Sequence, residues 1–157
     1  MVLKVGDTVA HFIAIDSNGK MFDSLNFIGK KIIVLYFYPK DNTAICTAQA
    51  CSFRDRYQEF QDLGAEVIGV SADDSASHLV FANEHKLPFT LLSDQDGAVK
   101  SIFGFQKSLF GLLPARITYV INKQGVITMI FNNLLGGQHI VRALEEVKKL
   151  QVGNIKK

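Results

Sequence analysis

The sequence predicts an α/β fold: one domain with a central mixed β-sheet flanked by helices on both faces. Three observations carry this. Strand-sized apolar runs alternate with helical periodicities along most of the chain, which then closes with a hairpin and a helix. The run Ile32 to Tyr38 has no polar alternation, as expected of a central strand buried on both faces. No repeat, low-complexity tract or linker divides the 157 residues, a length that suits a single real core.

Each element has its own signal. Val9 to Ile15 reads as a strand, Asn18-Gly19 as a turn, and Met21 to Asp23 as the return strand. Pro39 ends the central strand because it cannot donate to a ladder. The polar loop Lys40 to Thr43 then opens a helix, and Phe53, Tyr57 and Phe60 share one of its faces before Gly64 stops it. Ala65 to Ser71 reads as a strand. Asp73, Asp74 and Ser75 offer N-caps for a helix to about His85, with Leu79 and Phe81 or Ala82 on its apolar face. Pro88 breaks that pattern, and Phe89 to Leu92 is a short strand. Ala98 to Phe103 follows as a short helix, then an irregular stretch from Gly104 to Ala115. Ile117 to Ile121 and Val126 to Phe131 form a hairpin around Asn122 to Gly125. Gly136-Gly137 precedes an amphipathic helix with Ile140, Leu144, Val147 and Leu150 on one side. Residues 150–157 read as a frayed tail.

Composition narrows the function classes. The net charge of +2 gives no electrostatic footprint for nucleic acid or an anionic membrane, and no aromatic stripe is interleaved with Lys and Arg. No apolar run approaches the ~18 residues of a membrane span. The first residues lack the basic and apolar regions of a signal peptide, so the expected location is the cytoplasm. Four histidines (His11, His78, His85, His139) are scattered at no metal-ligand spacing and read as surface or packing residues. Phe103, Phe105 and Phe110 read as core. A zinc site is not expected.

The two cysteines, Cys46 and Cys51, carry the chemistry. In a reducing compartment a close pair is reactive more often than it is a permanent staple. Cys46 follows the end of a buried strand and opens a helix, a position where ligand sites collect in α/β sheets. A thiol attacks peroxide as the thiolate, and the first helical turn supplies unsatisfied N–H groups and the positive end of the dipole. A guanidinium would add to this. Arg116 is the candidate, although spacing alone does not choose it over Arg54 or Arg56. Attack pushes charge onto the leaving oxygen, and the Thr43 hydroxyl, the Cys46 N–H and Arg116 are candidate donors there. The sulfenic acid left on Cys46 then needs a thiol, from Cys51 or from outside the chain. In one unbroken helix the two Cα atoms stand roughly 8–9 Å apart. A disulfide needs less than about 7 Å, so the helix must unwind locally.

These residues resemble a known family. Pro39-x-x-x-Thr43-x-x-Cys46 is similar to the peroxiredoxin active-site motif. The run Phe37 to Thr43, with Cys46-Thr47 and Cys51, resembles the bacterioferritin comigratory protein or peroxiredoxin Q subfamily. Gly6-Asp7, Phe53-Arg54-Asp55, Val67 to Ser71 and Arg116-x-Thr118-Tyr119-Val120-Ile121 extend the likeness from about residue 4 to 150. The resemblance implies a thioredoxin-like fold, which the element order also fits, and reduction of hydrogen peroxide and organic hydroperoxides. It implies Cys46 as peroxidatic and Cys51 as resolving cysteine, with thioredoxin or a similar dithiol as reductant. Thr43 and Arg116 would activate the thiolate and position the peroxide, and Pro39 would shield the site. The expected assembly is a monomer or weak homodimer. Two positions depart from the subfamily: Ala44-Ile45 stands where Pro-Gly is usual, and Gln49 where Glu is usual.

Two rival readings predict different residues. A disulfide oxidoreductase on the same fold would ordinarily carry Cys-x-x-Cys, whereas here four residues separate the pair. A non-enzymatic adaptor would need neither Thr43 nor Arg116.

Overall fold

The computed structural model describes residues 2–104, 116–132 and 137–155. In chain order the elements are β1 (Ile13–Asp16), β2 (Met21–Asp23), β3 (Ile32–Phe37), α1 (Ala44–Asp55), α2 (Tyr57–Asp62), β4 (Ala65–Ser71) and α3 (Ser75–His85). They continue as β5 (Thr90–Ser93), α4 (Ala98–Phe103), β6 (Ile117–Ile121), β7 (Ile127–Asn132) and α5 (Gly137–Ile155). One seven-stranded sheet runs in the order β2-β1-β5-β4-β3-β6-β7. β3 pairs parallel with β4 and antiparallel with β6, β5 is parallel to β4, and the outer strands add antiparallel. This is the mixed, open sheet that the sequence predicts.

β3 is the centre, and every residue in it is buried. Its side chains alternate between two cores. Ile33, Leu35 and Phe37 join Val99 of α4, Phe103 and Tyr119 on one face. Ile32, Val34 and Tyr36 join Ala50 and Phe53 of α1, Phe60 of α2, Phe81 of α3 and Leu144 of α5 on the other. Phe103 is core, as expected. Phe105, Phe110 and the irregular stretch beyond Gly104 lie outside the described residues, as do residues 156–157, whereas residues 150–155, expected as frayed tail, continue α5.

Four expectations are corrected. β1 begins at Ile13 rather than Val9, because the Val9 N–H donates to the Gly125 carbonyl and ties that segment to the turn before β7. The helix expected through Phe53 and Phe60 is two helices, broken at Arg56 (φ −112°, ψ 10°). Seven residues of straight helix would separate the two rings by ~10.5 Å of rise. The break lets both enter one core with centroids 5.9 Å apart. In α3, Leu79 faces solvent, and His78 with Phe81 fills the inner face. β5 is shifted one residue, to Thr90–Ser93.

Tyr36 ties the sheet to α1. Its ring stacks on Phe53 at 4.7 Å and 18°. An added Cβ at Gly69, on neighbouring β4, would lie 2.9 Å from both Tyr36 Cζ and Leu91 Cδ2. Glycine is required there by the space the tyrosine ring occupies. Gly69→Ala is therefore expected to cost about 1–3 kcal/mol by overpacking, read as a lower urea midpoint at unchanged slope.

Candidate active site

The site forms where β3 ends. Ile117, the first residue of β6, pairs with Phe37, the last of β3. Arg116 thus enters the sheet beside the loop that leads from Pro39 to α1. Thr43 is the N-cap of α1 (φ −86°, ψ 153°), which puts Cys46 in the first turn, among the N–H groups that the helix itself leaves unpaired. Cys46 is 1% exposed and Arg116 3% exposed. Arg116 Nη2 donates to Cys46 Sγ at 3.2 Å, and Nη1 donates to the Gln49 side-chain oxygen.

The other two candidate arginines are occupied elsewhere. Arg54 binds Asp55 and the His85 carbonyl, and Arg56 binds Glu59. The choice that spacing leaves open is thereby made for Arg116. Its guanidinium sets a buried positive charge against the sulfur.

Gln49 is a residue that sequence reasoning noted only as a departure. It is 1% exposed. A guanidinium only donates, so the amide must present its oxygen to Arg116. Its Nε2 is then turned away, buried and without a hydrogen-bond partner. Gln49 holds one arm of Arg116 without placing a charge beside it.

Thr43 differs in one respect from expectation. Its hydroxyl is not a donor toward the sulfur side: Oγ1 donates to the Lys40 carbonyl at 2.9 Å. A hydroxyl has one hydrogen to give, so Thr43 is left with lone pairs and faces a ligand as an acceptor. Pro39 is half-buried in the same loop. Cys51 is half-buried on α1, and both cysteines are free thiols in one continuous helix.

A hydrogen-bonded network underlies the loop. Asp41 is 5% exposed and His78 fully buried. The Asp41 carboxylate accepts from the Tyr38 hydroxyl at 2.6 Å, the Ser77 hydroxyl at 2.9 Å and His78 Nδ1 at 2.7 Å. His78 Nε2 faces the Leu92 carbonyl at 3.0 Å. Acceptors thus face both ring nitrogens, and Nδ1 is placed to donate to the Asp41 carboxylate. Burial pushes the Asp41 carboxyl up, but the hydrogen bonds from His78 and Tyr38, the His78 charge and Ser77 outweigh it and hold it below the usual carboxylate range. Burial drives the Tyr38 phenol well above its ordinary range, followed by the proximity of Tyr36 and Asp41, so it stays a donor. Asp41, Asp73 and His78 bring ligand-type atoms within 4.8 Å of one another. Those atoms are already engaged in hydrogen bonds, and His78 Nδ1 offers a hydrogen rather than a lone pair. The cluster is a hydrogen-bond network, and histidine spacing could not reveal it because its members lie 37 positions apart.

The chain is similar to known proteins. The AhpC/TSA family pattern matches residues 5–130. The chain is 47% identical over 146 residues to peroxiredoxin Q, chloroplastic, of Triticum aestivum, covering 92% of this chain and 67% of that protein. It is 49% identical over 144 residues to the protein of the same name from Arabidopsis thaliana, covering 91% and 66%. It thus spans about two thirds of the length of these relatives. The crystal structure of peroxidoxin BcpB from Mycobacterium tuberculosis superposes with a TM-score of 0.86 at 32% identity, over 94% of this chain and 98% of that one. A Xanthomonas campestris bacterioferritin comigratory protein, studied for alkyl peroxide reduction, gives 0.81 at 27% identity, over 89% and 92%. The strand–loop–helix that carries a thiol under a buried guanidinium is thus found in a chain that belongs to the AhpC/TSA family, a peroxiredoxin of the Q type and with that a thiol peroxidase.

Proposed function

We propose that this protein reduces hydrogen peroxide and organic hydroperoxides through Cys46, with Cys51 as the resolving thiol. The observation that carries the reading is the contact between Arg116 and Cys46 Sγ at 3.2 Å inside the first turn of α1. The guanidinium and the helix N-terminus stabilise negative charge on the sulfur. The thiolate attacks the nearer peroxide oxygen. An S–O bond forms, the O–O bond breaks, and the departing oxygen leaves as alkoxide or hydroxide and takes a proton. Thr43 accepts the hydrogen bond of the bound hydroperoxide, and Arg116 with the Cys46 N–H faces the charge that develops on oxygen. Pro39 shields the site from water.

The Cys51 thiolate then attacks the sulfenic sulfur: S–S forms, S–O breaks, and the departing hydroxide takes a proton to leave as water. Both thiols lie on the unbroken helix Ala44–Asp55, so α1 unwinds before they meet. A dithiol reductant of the thioredoxin type returns the pair to thiols by exchange. No metal or organic cofactor enters this cycle.

Among the described residues no helix is long and apolar enough to cross a membrane. The working compartment is one that keeps thiols reduced. The cytoplasm is the default, while the plant relatives above are named chloroplastic. The functional unit is a monomer or weak homodimer and takes no nucleic acid.

Three measurements test this reading. Peroxide consumption with a thioredoxin system should vanish in Cys46→Ser, and Cys51→Ser should stall at a sulfenic acid that an external thiol rescues. A wild type that consumes no peroxide with any dithiol sinks the proposal. Arg116→Lys keeps the charge but cannot bridge two acceptors, so Cys46 oxidation followed by stopped flow should slow by about 10-fold or more. Gln49→Glu adds a carboxylate beside the guanidinium and weakens its pull on the sulfur. Peroxide reaction followed by stopped flow should fall about 3–10-fold.

A further inference from the structure

The peptide joining Lys40 to Asp41 is held at both ends. Its N–H, on Asp41, donates to Asp73 Oδ2 at 2.7 Å, and its C=O, on Lys40, accepts the Thr43 hydroxyl at 2.9 Å. A trans peptide is planar, with N–H and C=O on opposite sides. Whatever fixes the N–H therefore fixes where the carbonyl points. The carbonyl in turn decides which way the Thr43 hydroxyl spends its hydrogen and where its lone pairs face.

Asp73 is itself braced. Ser71 Oγ donates to the same Oδ2 at 3.0 Å, and the Asp73 carbonyl accepts from Ser93 Oγ at 2.6 Å. The Asp41 side chain is clamped by Tyr38, Ser77 and His78, so this peptide cannot swing about its own residue. The next residue, Asn42, has φ +61°, a left-handed conformation that asparagine takes more readily than other non-glycine residues. Three strand ends, those of β3, β4 and β5, thus converge on one peptide plane of the active-site loop.

We propose that Asp73 is a positioning residue of the peroxide site: by holding the Lys40–Asp41 peptide against the buried Asp41–His78 pair, it orients the Thr43 hydroxyl toward the hydroperoxide. Asp73 acts through Thr43 and does not itself touch the substrate. This rests on the peroxidase reading of Cys46 and Thr43. It adds a residue 27 positions beyond Cys46 to the machinery of that step.

A double-mutant cycle tests it. The parent is the full chain with Cys51→Ser, so that only Cys46 reports. Oxidation by hydrogen peroxide is followed by stopped flow, and alkylation by iodoacetamide measures the thiolate independently of peroxide binding. Asp73→Ala should slow oxidation about 3–10-fold while alkylation changes by less than about twofold. Asp73→Asn, which keeps an acceptor oxygen, should restore the parent rate to within about twofold. In a Thr43→Ala background, Asp73→Ala should have almost no further effect. If Asp73→Ala does not fold, Ser71→Ala, which removes the hydroxyl bonded to the Asp73 carboxylate and N–H, should show the same pattern at about 2–3-fold. Parent-rate oxidation in Asp73→Ala overturns the proposal. So does equal slowing with and without Thr43, or equal slowing of oxidation and alkylation. A parent that does not react with peroxide at all removes the peroxidase reading, and the positioning role falls with it.

Discussion

A guanidinium taken out of water must be met by acceptors, and the arrangement around Arg116 follows from that requirement. Burying an unpaired charge is costly enough that the surrounding structure has to supply partners. Here two of them come from one helix, the Cys46 sulfur and the Gln49 oxygen, three positions apart and hence on one face. The antiparallel pairing of β6 with β3 delivers the guanidinium to that face. The sheet register, the helix phase and the thiol chemistry are in this sense one constraint. A one-residue slip of β6 would turn Arg116 to the other side of the sheet and leave the sulfur without its counter-charge.

The helix that presents Cys46 serves two opposed needs. Its C-terminal half is fixed to the core: Phe53 is fully buried against Tyr36 and Phe60, and Ala50 is 1% exposed. Aromatic pairs of this kind contribute about 0.5–1.5 kcal/mol each beyond their burial. Its first turn has much less holding it. Ala44 and Ile45 are exposed, and the Thr43 side chain makes no cap hydrogen bond to the helix. A missing cap is worth about 1 kcal/mol. The end that carries Cys46 is therefore the less anchored end of α1, and Cys51 lies nearer the anchored one. Ala44-Ile45, the departure from the subfamily, falls within this opening turn.

The loop before that turn is held in the opposite manner. Tyr38, Asp41 and His78 are buried and hydrogen-bonded to one another, with Ser77 at their edge, so breaking the buried Asp41–His78 pair should cost about 3–5 kcal/mol. Rigidity thus lies on the N-terminal side of Thr43 and compliance on its C-terminal side. Such a division suits a site that needs fixed donors and acceptors during attack on peroxide and a mobile sulfur afterwards.

The sequence by itself determined the α/β class, the buried central strand, the site's place at that strand's end, and the two cysteines with Thr43 and Pro39 around them. These are local properties: hydrophobic period, turn chemistry and short-range spacing act within a few residues and can be read along the chain. Tertiary structure alone decided among Arg116, Arg54 and Arg56, because the choice depends on strand register across the sheet. It also decided that Gln49 holds the guanidinium, that the Thr43 hydroxyl is turned to Lys40, and that His78 is the buried partner of Asp41. Each of these depends on which polar atom lies within hydrogen-bonding reach after the chain has packed. Periodicity places a residue on a face, and only the packed sheet and helices determine which partner that face meets.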